Sequence, residues 1–153
     1  MSFNNINILL ADDDKADCLL FKDDLEELPV SAMLTIAYNG KEITKKGNKF
    51  TDGLFMNLNM PRKNGYATLG EIKRNTYLQS LHVITFSTAS GVETVKNVFR
   101  NVAHYYMCKP PDFSQMKKVI YEALTLIMQK NNALALQEKF LITGDSIIIP
   151  NKK

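Results

Sequence analysis

Three consecutive aspartates, Asp12, Asp13 and Asp14, follow a short apolar run near the start of this 153-residue chain. Other short apolar runs end in Asn57, in the pair Ser87-Thr88, and in Lys109 followed by Pro110. If those runs are parallel strands, the groups that follow them share one crevice, because an open α/β sheet works at the carboxyl ends of its strands. A pair of acids, an amide, a hydroxyl and a lysine would then converge. Hard oxygen ligands around one edge of a crevice are what a Mg²⁺ site needs.

The elements able to hold these groups in place are legible as short apolar runs alternating with amphipathic stretches, the pattern of a parallel sheet covered by helices on both faces. Strands are expected at Ile6 to Ala11, Met33 to Ala37, Gly53 to Asn57, Val83 to Ser87 and Tyr105 to Cys108. Each is only about a strand long, which suits a buried central position. Lys15 to Leu28 carries Ala16, Leu19, Leu20 and Leu25 at helical spacing, with Asp14 to cap it and Pro29 to stop it. Glu42 to Lys46 gives a shorter second helix. Tyr66, Leu69 and Ile72 mark a third, and Val92, Val95, Val98, Phe99 and Val102 a fourth. The fifth runs from Asp112 through Phe113, Met116, Ile120, Leu124 and Ile127, after a Pro-Pro pair that blocks helix before it.

With the strand ends in that order, the chain resembles the response-regulator receiver domains of two-component signalling, and is similar to the single-domain chemotaxis-type regulators. The resemblance covers residues 5 to 130. It rests on ILLADDD at the first strand, LFMNLNMPRKNGYATLGEIK through the third strand and helix, VITFSTAS at the fourth and YYMCKPPDF at the fifth. It implies a flavodoxin-like α/β fold, a doubly wound five-stranded parallel sheet of order 2-1-3-4-5 with five helices. It divides the chain into a receiver domain, residues 1–130, and a C-terminal appendage, residues 131–153. It further implies that Asp12 and Asp13 bind Mg²⁺, Asp13 as the more direct ligand, together with position 57 and the backbone carbonyl of Asn59. Ser87 would be the switch hydroxyl, Lys109 the partner of a phosphoryl oxygen, and Tyr106 the aromatic that turns inward on activation. Asn59 and Ala89 match the two variable positions that tune dephosphorylation. A phosphoryl group in transfer needs a metal, a cation and hydrogen-bond donors around its oxygens, so the set is chemically coherent.

The departure is at the centre of that set. Where the family has its phosphoacceptor aspartate, this chain has Asn57. An amide is isosteric with a carboxylate but has no nucleophilic anion, so the acyl phosphate cannot form by the usual route. Two readings stay open: a stand-alone receiver of a phosphorelay with its acceptor position substituted, or a phosphorylation-independent pseudo-receiver that acts as a protein-interaction module. The resemblance implies a histidine kinase or phosphotransfer protein upstream. Downstream it implies a protein target on the face of the fourth helix, fifth strand and fifth helix, where Lys96, Arg100, Tyr106 and Lys117 lie.

Charge and composition narrow the remaining classes. Eight of the sixteen acids but only two of the nineteen bases lie between Asp12 and Glu27, so that window carries minus six and the rest plus nine. The basic residues are scattered doublets, not the dense run of a nucleic-acid tail. Cys18 and Cys108 make neither a disulfide scaffold nor a zinc pattern and are expected as free thiols in a reducing compartment. The start has no basic segment ahead of its apolar run and no run approaches membrane-spanning length, so a cytoplasmic protein is expected. An aspartate-nucleophile phosphohydrolase would want a threonine soon after its acids, where this chain has Lys15-Ala16. A nucleotide binder would want a glycine-rich first turn, also missing. A flavin binder is permitted by the fold but lacks a Ser/Thr/Gly phosphate loop. Beyond residue 130 the pattern changes, ending in Ile147-Ile148-Ile149 and Pro150. A free β-branched run of this kind invites aggregation, so the tail is expected to pack on the body or on a second subunit.

Overall fold

A computed structural model of the chain describes residues 5–47, 50–57, 70–72, 74, 81–87, 105–108, 113–129, 141–142 and 148–150. Within them the strands are β1 (Ile6–Ala11), β2 (Ala32–Ala37), β3 (Gly53–Asn57), β4 (His82–Ser87), β5 (Tyr105–Cys108) and β6 (Leu141–Ile142). The helices bounded at both ends are α1 (Lys15–Glu27), α2 (Gly40–Lys46) and α3 (Phe113–Met128), the last being the fifth helix of the sequence reading. The expected fourth helix, and the expected third helix apart from residues 70–72 and 74, lie outside the described residues.

All pairings are parallel, in the order β2-β1-β3-β4-β5-β6. The first five strands stand as the family resemblance implies, 2-1-3-4-5. The sixth was not expected: Leu141 and Ile142, in the region read as an appendage, pair with Tyr106 and Met107 and extend the sheet by one strand. Ile142 is 1% exposed and joins the core cluster with Met107 and Ile120. Of the tail isoleucines, Ile149 packs partly buried against that core while Ile148 is exposed. Ile147 lies outside the described residues.

The strands at the centre are apolar on both faces because both faces are covered. β3 is buried at all five positions, which is why the sequence shows a continuous run there and no alternation. β2, at the sheet's margin, alternates half-buried Ala32, Leu34 and Ile36 with exposed Met33 and Thr35.

α1 corrects the sequence reading of its face. The buried residues are Cys18, Phe21, Asp24 and Leu25, whereas Ala16, Leu19 and Leu20 are exposed. Phe21 meets Phe55 of β3 edge-on, ring centroids 5.0 Å apart. The helix starts where Asp14 Oδ1 accepts the amides of Ala16 and Asp17 at 2.9 and 3.1 Å, satisfying two of the donors that every helix start leaves open. It ends just before Pro29, as a helix must. Asn39 caps α2 in the same way, accepting the Glu42 amide at 3.1 Å.

Candidate functional site

The three aspartates after β1 have three separate environments. Asp12 continues the sheet for one more residue, its amide donating to the Ala37 carbonyl at 3.0 Å, and is 1% exposed. Asp13 is exposed, and Asp14 is spent on the helix cap. Only Asp12 is therefore held inside the crevice, with Asp13 on its rim.

Asn57, the last residue of β3, is 8% exposed and faces Asp12 across the β1–β3 pairing. Its Nδ2 donates to Asp12 Oδ1 at 3.1 Å. The same oxygen accepts the Asp14 amide at 3.1 Å. Two N–H donors thus converge on one carboxylate oxygen close to the positive end of α1, which is how a buried carboxylate is made tolerable. The Cys18 thiol, one turn into α1, donates to the Asp12 carbonyl at 3.5 Å and ties the helix to the strand end.

Ser87 ends β4 and is paired with Cys108, and Asn57 is paired with Phe86, so the ends of β3, β4 and β5 are in register beside one another. Tyr106 sits within β5 opposite Thr85. Asn59, Ala89 and Lys109 lie outside the described residues. Among the described residues no group of three or more His, Cys, Asp or Glu side chains is clustered to hold a metal. The pair brought together is an acid and an amide.

Two features were not read from the sequence. Tyr38, directly after β2, lies between Lys15 and Lys46, each ammonium 5.9 Å from its ring centroid. The strand-end rule that found the other residues points to this one as well. The second lies on the buried stripe of α1, where Asp24 is 7% exposed and its Oδ2 has no hydrogen-bond partner. Burial pushes the Asp24 carboxyl above its usual range, partly offset by the attraction of Lys117. Lys117 itself is ion-paired with Glu27, and that hydrogen bond holds its ammonium pKa above the ordinary lysine value. Lys117, grouped in the sequence reading with the partner face, is thus joined to α1.

Comparison with known proteins finds relatives of the chain and of its fold. A transcriptional regulatory protein, ZraR of Klebsiella oxytoca, is 30% identical over 149 residues, and the chain covers 33% of its length. The probable methanogenesis regulatory protein FilR2 of Methanothrix harundinacea is 23% identical over 122 residues, 79% of its length. The response regulator Rcp1 of Synechocystis is 24% identical over 121 residues, 82% of its length. Among solved structures, a response regulator in red light signaling of R. palustris superposes with a TM-score of 0.74 at 20% identity, over 86% of this chain and 99% of that one. The Mn²⁺-bound form of Rcp1 superposes at 0.69 and 20% identity, over 95% of this chain and 99% of that one. At such identities the superpositions establish the fold alone. The model of the response regulator receiver domain matches residues 8–121, a span running from β1 into α3, and the chain belongs to the response-regulator receiver domain family.

Proposed function

We propose that this chain acts as a receiver that signals by protein contact, with a Mg²⁺-binding crevice and no phosphorylation at position 57 by the usual route. The observation that carries the reading is the buried hydrogen bond from Asn57 Nδ2 to Asp12 Oδ1 at 3.1 Å. A receiver needs an anion at the end of β3 to attack phosphorus. Here the same place holds a neutral amide donating to the acid beside it.

The donor set fits a hard divalent cation: the Asp12 carboxylate inside, the Asp13 carboxylate on the rim, and the Asn57 amide oxygen as a neutral third ligand. The Asn59 carbonyl would complete the set. Mg²⁺ there would supply charge neutralisation to phosphoryl oxygens. Lys109 and Ser87 would contact those oxygens, and Tyr106 would report the change to a partner. That third oxygen is neutral, where a receiver with three acids offers an anion. Mg²⁺ affinity is therefore lower than in a receiver with three acids.

The same hydrogen bond favours the phosphorylation-independent reading, since the amide gives Asp12 a partner that a third carboxylate would repel. In that reading a histidine kinase or phosphotransfer protein docks without transferring phosphate. The module is an adaptor, not an enzyme, and its target binds at the fourth helix, β5 and α3. Intact-mass analysis after incubation with acetyl phosphate and Mg²⁺ tests the central point. No base-labile adduct is expected on the chain itself. With Asn57→Asp, the new carboxylate attacks phosphorus, the donor's P–O bond breaks, acetate leaves, and one acyl phosphate per chain appears. A stoichiometric adduct on the unsubstituted chain would overturn the reading.

A further inference from the structure

Asp24 is the one acid on the buried stripe of α1, among Cys18, Phe21 and Leu25. Its carboxyl is almost wholly enclosed, and Oδ2 has no hydrogen-bond partner. A protonated carboxyl is tolerable in such a place, whereas a buried carboxylate with no cation beside it is very costly. Lys117 of α3 is the cation that acts on it. That ammonium is already ion-paired with Glu27, and Glu27 follows Asp24 by three residues, so the two acids are neighbours along one face of the helix. The side chains of the ion pair are 34% exposed for Lys117 and 59% for Glu27, so the pair lies at the surface while Asp24 lies inside.

From this juxtaposition we propose that Lys117 is a two-position clasp between α1 and α3, pairing with Glu27 while Asp24 is protonated and passing to Asp24 when that proton is lost. The O–H bond of Asp24 is the only bond that breaks; its proton goes to solvent and the ammonium keeps its charge throughout. In the first position the link between the helices is screened by water, and in the second it is drawn into their interface, where screening is weaker. Pairing with Lys117 offsets part of the cost of ionising the buried acid, and burial remains the larger effect, so the exchange falls above the usual carboxylate range. Glu27 and Asp23 of α1 oppose the loss of the proton. Cys18 and Tyr121 are the other titratable side chains of the surrounding core cluster, and β1, β2 and β3 carry none. The Asp12 crevice, at the opposite end of α1, takes no part.

A pH titration of the full chain by NMR, following Asp24 Cγ and Lys117 Nζ, tests the clasp. Asp24 is expected to titrate above 3.8, and the Lys117 resonance is expected to shift with the same midpoint. In Asp24→Asn that inflection of Lys117 should vanish. Glu27→Gln releases the lysine, so the Asp24 midpoint should fall by about one pH unit or more, the scale of a newly gained opposite charge. With Lys117→Met added, most of that fall should be lost. If Glu27→Gln lowers the midpoint equally with and without Lys117, Glu27 acts through its charge alone, the lysine does not change partner and the proposal fails. A Lys117 resonance that stays flat through the Asp24 midpoint of the unsubstituted chain overturns it as well, and that measurement needs no variant to fold.

Discussion

Asn57 and Asp12 illustrate how one atom's identity can decide what a crevice does. The Asn57 amide nitrogen stands 3.1 Å from an oxygen of a carboxylate that is almost wholly buried. Replacing it by a carboxylate turns an attraction into a repulsion that, at an effective dielectric of about 20, is on the order of 4 kcal/mol before relaxation. Asn57→Asp is therefore expected to destabilise the metal-free fold by about 1 to 3 kcal/mol and to recover part of that in millimolar Mg²⁺. Denaturant melts with EDTA and then with Mg²⁺ check this, and a metal-free Asn57→Asp more stable than the parent would mean the two positions do not share a site. A second buried acid gives a pH-dependent counterpart. Asp24 has its carboxyl pKa raised above 3.8, chiefly by burial. The folded state then holds its proton more tightly than the unfolded state. The stability this contributes is complete below 3.8 and is lost as pH rises through the folded value. Asp24→Asn should thus stabilise the protein at pH 7 by about 1 kcal/mol, the scale of one unsatisfied buried acceptor, with the gain shrinking as pH falls toward 3.8. Urea melts at several pH values would show it, and a gain that grows on acidification would reverse the assignment.

The strands were legible because central parallel strands are apolar on both sides, so Gly53–Asn57 reads as an uninterrupted run whichever face is considered. Helix α1 was legible as a helix but not in its orientation. Leu19 and Leu20 are the more obvious hydrophobes, yet Cys18, Phe21 and Leu25 occupy the i, i+3, i+7 positions that meet the sheet, and acidic Asp24 on the same stripe masks it in a sequence scan. Leu25→Ala is expected to cost about 2 to 5 kcal/mol and Leu19→Ala less than about 0.5 kcal/mol, the difference between emptying a packed position and trimming an exposed one. Equal costs in chemical melts would restore the original reading of the face. The contact of β3 with α3 supplies another test. A Cβ built on Gly53 would lie 2.5 Å from Ile127 Cδ1 and 3.4 Å from Ile8 Cδ1, so glycine is needed here for closeness of packing. Gly53→Ala should cost about 1 to 3 kcal/mol by overpacking, and adding Ile127→Val, which removes the clashing methyl, should return most of it. A double variant no more stable than Gly53→Ala would place the conflict elsewhere.

At the scale of the molecule, the order of the first five strands brings the ends of β1 and β3 together, and the acid and the amide meet only because of that topology. The strand-end rule made Asp12 and Asn57 findable from sequence. It could not reveal β6, because two residues carry no periodicity and a short apolar pair in a tail reads the same whether it pairs or not. What distinguishes the pair is tertiary: Ile142 lands between β5 and α3, where its burial is worth about 1.5 to 3 kcal/mol. The tail is thus part of the chain's stability as well as its edge. Ile142→Ala should lower the thermal midpoint by roughly 4 to 8 °C, taking about 2 kcal/mol at about 2 to 4 °C per kcal/mol for a chain of this size. Ile148→Ala should leave it unchanged, its side chain being in solvent. Scanning calorimetry on the three proteins checks both expectations. If the Ile142 variant melts with the parent, Ile142 contributes nothing to holding the sixth strand, and its buried place between β5 and α3 does not describe the protein in solution.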